Sequence, residues 1–411
     1  MLWQPPLAEA YTRMDAGALA EAISQRRREL GERLVILGHH YQTDEVIQHA
    51  DFTGDSLKLS QTAAKVCEGR DVRWIVFCGV HFMAETADML TPEGVSVILP
   101  DLSAGCSMAD MAQHDDTVQA WEEVHIALRE GGWKGRVVPI TYVNSSAAIK
   151  AFVGEHGGAC CTSSNAGAVF EWAMRQAEDV KVLFLPDQHL GRNTASAFGI
   201  DVARESCVYD PRRARKGEEL GGATAEQVLG SKVILWAGHC SVHKLFRPEH
   251  CAQVRAESAQ GGEPIRILVH PECAKEVVDL ADLAGSTEFI IRTIRESPAG
   301  SRWAVGTEVH LVARLAKEAA ERGVQVRILS DCQCLCTTMY RIDQPHLLWV
   351  LDNLAGDSAG RDPRIKKARV VNEVKVHPKV RGQALLAIER MLENVGGGGF
   401  GRGARKNAAV D

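Results

Sequence analysis

The chain has 411 residues, 45% of them apolar and 24% charged, which is ordinary usage for a soluble globular protein. Its net charge of −6 and the lack of a basic stripe argue against nucleic acid as a partner. The longest apolar runs, such as WIVFCGV at residues 74–80, are far shorter than the roughly 20 residues of a membrane helix. We therefore expect no membrane contact. The N-terminus shows no secretion signal, and twelve cysteines without one favour the reducing cytoplasm.

Short apolar runs alternate with amphipathic segments along the whole chain. Continuous apolar runs are typical of parallel strands that are covered on both faces, and their alternation with helices indicates the α/β class. In chain order the predicted strands lie at residues 33–40, 73–80, 95–100, 136–143, 180–186, 232–238, 265–271, 302–308 and 324–330.

One order of motifs occurs three times. A strand runs into GHHY, TYVN or VHPE, a helix then opens near Ser56, Ser163 or Thr287, and two further strands lead to a cysteine. The spacing from His39 to Ser56 and that from His270 to Thr287 are both 17 positions. Such self-similarity marks a repeated architecture. We therefore predict three similar three-layer α/β/α domains, at residues 15–115, 116–245 and 246–345, with parallel sheets around a pseudo-threefold axis.

Four segments fall outside this repeat. Residues 196–230, rich in charge and glycine, and residues 247–264 are predicted to be surface loops. A last helix within residues 360–395 is expected to pack on the first domain. The glycine-rich tail, residues 396–411, contains G-x-G-x-x-G but precedes no helix, so we expect disorder there rather than a dinucleotide site.

The residues that open the three helices form the first candidate site. Free N–H groups and the positive end of the dipole favour anions at a helix N-terminus. Serine and threonine more often serve there as simple N-caps. Three matched positions, Ser56, Ser163 and Thr287, favour an anionic substrate with several carboxylates or a phosphate.

Polar residues at the strand ends form the second group. Ligands of parallel sheets bind beyond the carboxyl ends of the strands, so these side chains should meet in one pocket. Histidine and glutamate can transfer protons at neutral pH, although a lone strand-end histidine is more often structural. The candidates are His39, Tyr41, Tyr142, Asn144, His270 and Glu272.

Cys106, Cys240 and Cys336 each follow the third strand of a repeat. Three thiolates on one axis could hold a single metal centre. This could be zinc, or a 4Fe–4S cluster that leaves one iron open as a Lewis acid. Cys332 and Cys334 in DCQCLC have no counterparts in the other repeats, so Cys336 is the expected ligand of that stretch.

These motifs together resemble the quinolinate synthase family, the A protein of de novo NAD biosynthesis. The resemblance covers about residues 30–395 and rests on GHHYQTDEVI, GDSLKLS, FCGVHFMAETA, LPDLSAGCSMAD, TYVNSSAAIKA, CTSSNA, LPDQHLGR, VHPEC, AGSTEFI and CTTMYRI. It implies three α/β domains around an oxygen-sensitive 4Fe–4S cluster. It also implies condensation of iminoaspartate with dihydroxyacetone phosphate to quinolinate, phosphate and water.

The family's functional residues carry over by position. The implied cluster ligands are Cys106, Cys240 and Cys336, and the implied catalytic residues are Tyr41, His39, Tyr142 and Glu272. The implied substrate contacts are His39, Ser56, Tyr142, Val143, Asn144, Ser163, His270, Pro271, Glu272 and Thr287. The chain departs from the family at His40, where other members carry Asn or Tyr, and in the C-x-C-x-C spacing of Cys332, Cys334 and Cys336.

Two other functions remain open from the sequence. One is a different iron–sulfur hydro-lyase that acts on a small diacid. The other is a structural zinc-binding α/β protein, which would explain the cysteines but not the strand-end histidines and glutamate. The resemblance further implies transient supply of iminoaspartate from L-aspartate oxidase, and a monomer or homodimer.

Overall fold

The computed structural model describes residues 3–261, 263–331 and 334–394 and has the predicted α/β architecture. Its strands are β1 Leu34–His39, β2 Phe52–Gly54, β3 Trp74–Cys78, β4 Ser96–Ile98, β5 Arg136–Tyr142, β6 Ala159–Cys161, β7 Val180–Leu185, β8 Ser206–Tyr209, β9 Val233–Trp236, β10 Ile265–Val269, β11 Leu283–Ala284, β12 Arg302–Gly306, β13 Gln325–Ile328 and β14 Glu373–Val374.

The helices lie between and around these strands. They are α1 Glu9–Thr12, α2 Ala16–Leu30, α3 Asp44–Ile47, α4 Ser56–Val66, α5 His81–Leu90, α6 Ser107–Asp110, α7 His114–Glu130, α8 Ala147–Glu155, α9 Ala166–Met174, α10 Gln188–Phe198, α11 Pro211–Ala214, α12 Ala225–Gly230, α13 Pro248–Ser258, α14 Lys275–Leu280, α15 Thr287–Arg295, α16 Val309–Ala320, α17 Gln344–Ala355 and α18 Pro378–Glu393. No helix in the described part of the chain is long and apolar enough to cross a membrane.

The described strands form three sheets that repeat one strand order. The first sheet runs β14-β4-β3-β1-β2, the second β6-β5-β7-β9-β8 and the third β11-β10-β12-β13. In each sheet a short strand lies beside the first long strand, which is followed by the second and third. The strand pairs are parallel apart from β14 with β4. The predicted threefold repeat of α/β units is therefore confirmed at the level of sheet topology.

Most of the long strands are buried on both faces, as their apolar composition predicts, whereas β13 at the edge of the third sheet exposes Gln325 and Arg327. In β1, Leu34 and Ile36 belong to one apolar cluster and Val35 and Leu37 to another, because successive side chains point to opposite faces. β1 is thereby packed on both faces, and the polar candidate His39 lies at its carboxyl end.

The short strands β2, β6 and β11 were not predicted. Each has two or three residues and pairs with the carboxyl end of a long strand, through His39 with Gly54, Tyr142 with Cys161, and Val269 with Ala284. This pairing brings the segments that follow the short strands to the same edge as the strand-end residues.

Residues 196–230 and 247–264 are not the simple loops that were predicted. The first segment contains β8, and its Tyr209 is buried against Trp236 with ring centroids 5.6 Å apart. The second segment contains α13. In these two segments charged residues outnumber the few buried residues, so the sequence pattern of a strand or helix is weak there.

The last helix, α18, does not pack mainly on the first domain, so that prediction was wrong. It lies on α8 beside the second sheet, where a Cβ on Gly154 would stand 2.0 Å from the carbonyl oxygen of Gln383. Arg390 also donates to the carbonyl of Gly158 at 2.6 Å. The strand before it, β14, does join the first sheet, so the C-terminal segment links two units. The predicted disordered tail, residues 396–411, lies outside the described residues.

Candidate active site

The carboxyl ends of the three sheets line one cavity with an empty volume of about 670 Å³, which includes its mouth. Among the predicted site residues, those that line it are His39, Tyr41, Ser56, Cys106, Tyr142, Val143, Asn144, Ser163, Cys240, His270, Glu272, Thr287 and Cys336.

Pro271 is the predicted contact that does not line this cavity. It lines a neighbouring pocket beside α10 and α14, and its carbonyl accepts a hydrogen bond from Asn193 Nδ2 at 2.8 Å. Residues 270–273 form a turn that is closed by a hydrogen bond from the Cys273 amide to the His270 carbonyl. In this turn His270 and Glu272 line the cavity and Pro271 does not.

Two of the three predicted helix starts have the expected form. Ser56 and Thr287 are the first residues of α4 and α15, and the N-caps are their neighbours, Asp55 and Ser286. Asp55 accepts from the Lys58 amide, and Ser286 accepts from the Phe289 amide. The hydroxyls of Ser56 and Thr287 are therefore not needed for capping, and both residues line the cavity.

Ser163 differs from the other two helix-opening residues. Helix α9 begins only at Ala166, because Asn165 Oδ1 accepts from both the amide and the hydroxyl of Thr162 and closes a turn first. The predicted placement of Ser163 at a helix N-terminus is therefore wrong. Its side chain instead hydrogen-bonds that of Tyr142 inside the cavity.

The three predicted ligand cysteines meet at the cavity from three different loops. Burial raises the pKa of Cys106 to about 12, and the neighbouring Cys336 thiol acts in the same direction. Burial, Glu272 and the other two thiols raise the pKa of Cys240 well above its usual range. Without a cation these thiols stay protonated. A metal centre would stabilise the thiolate forms, and the three thiolates would be its ligands.

Glu272 is buried and bonded on several sides. Its Oε2 lies 2.9 Å from His243 Nδ1 and its Oε1 lies 3.8 Å from His270 Nδ1. The two imidazole rings are stacked with centroids 4.4 Å apart. Burial by itself would raise the pKa of Glu272, but the imidazoles of His243 and His270 and hydrogen bonds from His243 and Tyr142 outweigh it and lower that pKa below its usual value. Glu272 is therefore an anion at neutral pH.

A chain of hydrogen-bonded side chains connects this carboxylate to Tyr41. His243 Nε2 lies 3.3 Å from Thr307 Oγ1, which lies 3.1 Å from the Tyr41 hydroxyl. That hydroxyl is also 3.2 Å from Thr287 Oγ1. Burial and the charge of Glu272 raise the pKa of Tyr41 well above its usual range, so its phenol stays protonated. The elements after β1, β9, β10 and β12 thus form one hydrogen-bonded network.

The two predicted histidines in the cavity are neutral. Burial lowers the pKa of His39 and that of His270 to about 3. His39 Nδ1 accepts from the Tyr41 amide at 3.2 Å, so in the neutral ring Nε2 carries the proton. His39 can therefore donate one hydrogen bond to a ligand.

Comparison with known proteins identifies the relatives of this chain. A family model described as Quinolinate synthetase A protein matches residues 21–393. The chain belongs to this family. It is 51% identical over 383 residues to the quinolinate synthase of Acidobacterium capsulatum, covering 93% of this chain and 95% of the relative. It is 48% identical to the quinolinate synthase of Rhodopirellula baltica, covering 93% of this chain and 92% of the relative. It is also 48% identical to that of Herpetosiphon aurantiacus, covering 95% of this chain and 96% of the relative.

Members of the quinolinate synthetase A family are enzymes, so this chain is an enzyme of NAD biosynthesis and not a structural zinc protein. The family and the three cavity thiols indicate an iron–sulfur cofactor. The donor set fits, because thiolates are the usual ligands of such clusters and all three lie at one cavity. Cys334 is buried against Ser330 Oγ at 3.2 Å and does not line the cavity, while Cys332 lies outside the described residues.

Sequence reasoning missed His243 and Thr307 in this quinolinate synthetase A site. His243 follows Cys240 by three positions in CSVH, where the other repeats carry Ala109 and Met339, so the repeat itself offered no match. Thr307 follows β12, a strand end that the motif comparison did not include. The rule that ligands lie beyond all strand ends would have included Thr307.

Proposed function

We propose that this enzyme is a quinolinate synthase. It condenses iminoaspartate with dihydroxyacetone phosphate and releases quinolinate, inorganic phosphate and two molecules of water. The observation that supports this reaction is that three thiols, two helix starts and one ionised glutamate line a single cavity. A substrate pair with two carboxylates and a phosphate needs such anion-binding groups beside its catalytic groups.

The anionic groups of the substrates bind at the helix starts. The backbone N–H groups of α4 and α15 and the hydroxyls of Ser56 and Thr287 donate to carboxylate or phosphate oxygens. Ser163 and the Nε2–H of His39 add two further donors. Among the described residues, Asn144 Oδ1 is buried without a hydrogen-bond partner, so it accepts from a substrate N–H or O–H group.

Cys106, Cys240 and Cys336 hold a 4Fe–4S cluster in this proposal. When bound, a cluster with three protein ligands supplies an open iron that acts as a Lewis acid without net redox change. The buried cavity walls around the thiols restrict solvent access to that centre.

Glu272 is the general base and the tyrosines are the proton donors. The reaction requires protons to leave carbon and nitrogen and to reach departing oxygens. Glu272 is anionic at neutral pH and hydrogen-bonded to Tyr142, while Tyr41 and Tyr142 keep their protons. His243 and Thr307 connect Glu272 to Tyr41, so a proton taken up at one side of the cavity can be returned at the other.

One anaerobic assay tests this function. The protein is reconstituted with iron and sulfide and then incubated with iminoaspartate and dihydroxyacetone phosphate, and quinolinate and phosphate are measured. We expect equal amounts of both products, and none from Cys336→Ser. A reconstituted, iron-loaded protein that forms no quinolinate but dehydrates a small hydroxy diacid would instead support the alternative iron–sulfur hydro-lyase.

The remaining biological assignments belong to the same proposal. We place the enzyme in the cytoplasm, as a monomer or homodimer with domains at 15–115, 116–245 and 246–345. Iminoaspartate is an imine that water hydrolyses, which favours transient supply from L-aspartate oxidase. Co-elution of the two proteins with faster quinolinate formation from aspartate would support that supply.

A further inference from the structure

Cys240, His243 and Glu272 form a compact group with metal-binding chemistry. One ligand atom from each lies within 4.8 Å of the other two. Cys240 and His243 lie in the loop after β9, and Glu272 follows β10, so two different sheets contribute. His243 and Glu272 are fully buried, and Cys240 is partly buried.

The three donors match the coordination preference of zinc. Zinc binds thiolate sulfur at about 2.3 Å and imidazole nitrogen or carboxylate oxygen at about 2.0–2.2 Å, in tetrahedral geometry. Nitrogen and oxygen ligands of one tetrahedral zinc ion are therefore roughly 3.3 Å apart. His243 Nδ1 and Glu272 Oε2 are 2.9 Å apart, so the ion would need only a small opening of this pair.

The surroundings hold each of the three donors in place. Thr307 Oγ1 lies 3.3 Å from His243 Nε2, the nitrogen that faces away from Glu272. The amide of Cys240 donates to buried Asp187 Oδ2 at 3.1 Å, which fixes the loop that carries the thiol. Such outer contacts orient ligands and typically contribute about 10–100-fold to metal affinity.

We propose that Cys240, His243 and Glu272 form a zinc site that competes with the iron–sulfur centre. The two metals exclude each other because both require Cys240. Zinc binding replaces the thiol proton of Cys240, and that proton leaves to solvent. The proton of His243 then lies on Nε2, which donates a hydrogen bond to Thr307 Oγ1. No electron is transferred, and water completes the four ligands. The zinc form also engages Glu272 and is inactive.

Metal binding by the cluster-free protein tests the site without any enzymatic assay. Metal-free protein is kept reduced under anaerobic conditions and titrated with Zn²⁺ alone against a chromophoric chelator. We expect one tight site per chain, at least tenfold weaker in His243→Asn and unchanged in Cys106→Ser. Titration with Co²⁺ should give a charge-transfer band of one thiolate in both the native protein and Cys106→Ser.

His310→Asn is the matched control. His310 Nδ1 lies 2.9 Å from Glu308 Oε1, so this variant breaks a similar histidine–glutamate pair. Neither His310 nor Glu308 lines the cavity. Its zinc affinity should equal that of the native protein. Equal weakening in His310→Asn and His243→Asn would overturn the proposal.

Two other outcomes would also overturn the site. If Cys106→Ser and Cys336→Ser weaken zinc as strongly as His243→Asn does, or cobalt shows three thiolates, the three cysteines bind zinc instead. If zinc added first does not slow iron–sulfide reconstitution, the two metals do not compete. Because none of these readouts involves quinolinate, the site and the proposed function can fail independently.

Discussion

Two walls of the cavity differ in how far their polar groups are already bonded. We call Tyr41, His243, Glu272 and Thr287 the bonded wall, together with Thr307, which does not itself line the cavity but connects His243 to Tyr41. The opposite case is the Asn144 wall, the loop after β5, where Asn144 Oδ1 is buried without a partner among the described residues.

The difference separates two tasks. Groups of the bonded wall are oriented before substrate arrives, which suits proton transfer because catalysis requires fixed geometry. A buried acceptor without a partner costs roughly 1–3 kcal/mol, which a ligand can restore when it donates to that acceptor. The Asn144 wall therefore suits binding, and its hydrogen bond is completed only in the complex.

Glu272→Gln should have the largest effect of the wall variants. Glutamine keeps the shape and one acceptor but removes the charge, so we expect kcat to fall about 10²–10⁴-fold. The cluster spectrum should hardly change, whereas the free energy of unfolding should fall moderately, because the charge-assisted hydrogen bonds from His243 and Tyr142 are weakened. Anaerobic initial rates and calorimetry measure these quantities. A large loss of stability with normal turnover per folded molecule would make Glu272 a structural residue of the bonded wall.

Thr307→Val breaks the bonded wall in its middle without changing side-chain volume much. It removes the link between His243 and Tyr41, and we expect kcat to fall about tenfold, the equivalent of roughly 1.4 kcal/mol. The matched control is Thr194→Val, which loses a buried hydrogen bond to the Leu190 carbonyl outside the cavity. If both variants lose the same stability and neither loses kcat, the chain of hydroxyls has no part in turnover.

Asn144→Ala and Thr287→Ala compare the two walls directly. Both variants should raise KM, because each removes a hydrogen bond to the substrate. The increase corresponds to roughly 1.5–3 kcal/mol if the lost hydrogen bond is to a charged group, and to less if it is to a neutral group. Thr287→Ala should also lower the free energy of unfolding, because Tyr41 loses a partner. Asn144→Ala should leave that free energy unchanged or higher. Denaturant titration without substrate distinguishes them, and equal destabilisation by both variants would remove the distinction between the walls.

The smallest effect is expected outside both walls. Cys334 is buried against Ser330, so the double variant Cys332→Ser with Cys334→Ser should keep its cluster and activity under anaerobic conditions. Iron and sulfide content, with the electronic spectrum, measures this against Cys336→Ser, which should lose the cluster. A cluster that survives Cys336→Ser and disappears from the double variant would reverse the ligand assignment.

The sequence by itself determined the α/β class, the three sheets and the residues that lie at their carboxyl edges. Long strands such as β3 and β9 are continuous apolar runs, and that signal is local. Once the strands are known, the geometry of parallel sheets brings the residues that follow them to one edge. His39, Tyr142 and Glu272 could therefore be selected without knowing how the units pack.

Only the tertiary structure decided the contacts between units. β2 and β11 are too short to show periodicity, and they form because a long strand offers free backbone groups beside them. An apolar helix face does not specify its partner, so α18 was predicted on the wrong domain. The hydrogen bond between His243 and Thr307 joins residues 64 positions apart, and it depends on the packing of two strand ends that no local pattern encodes.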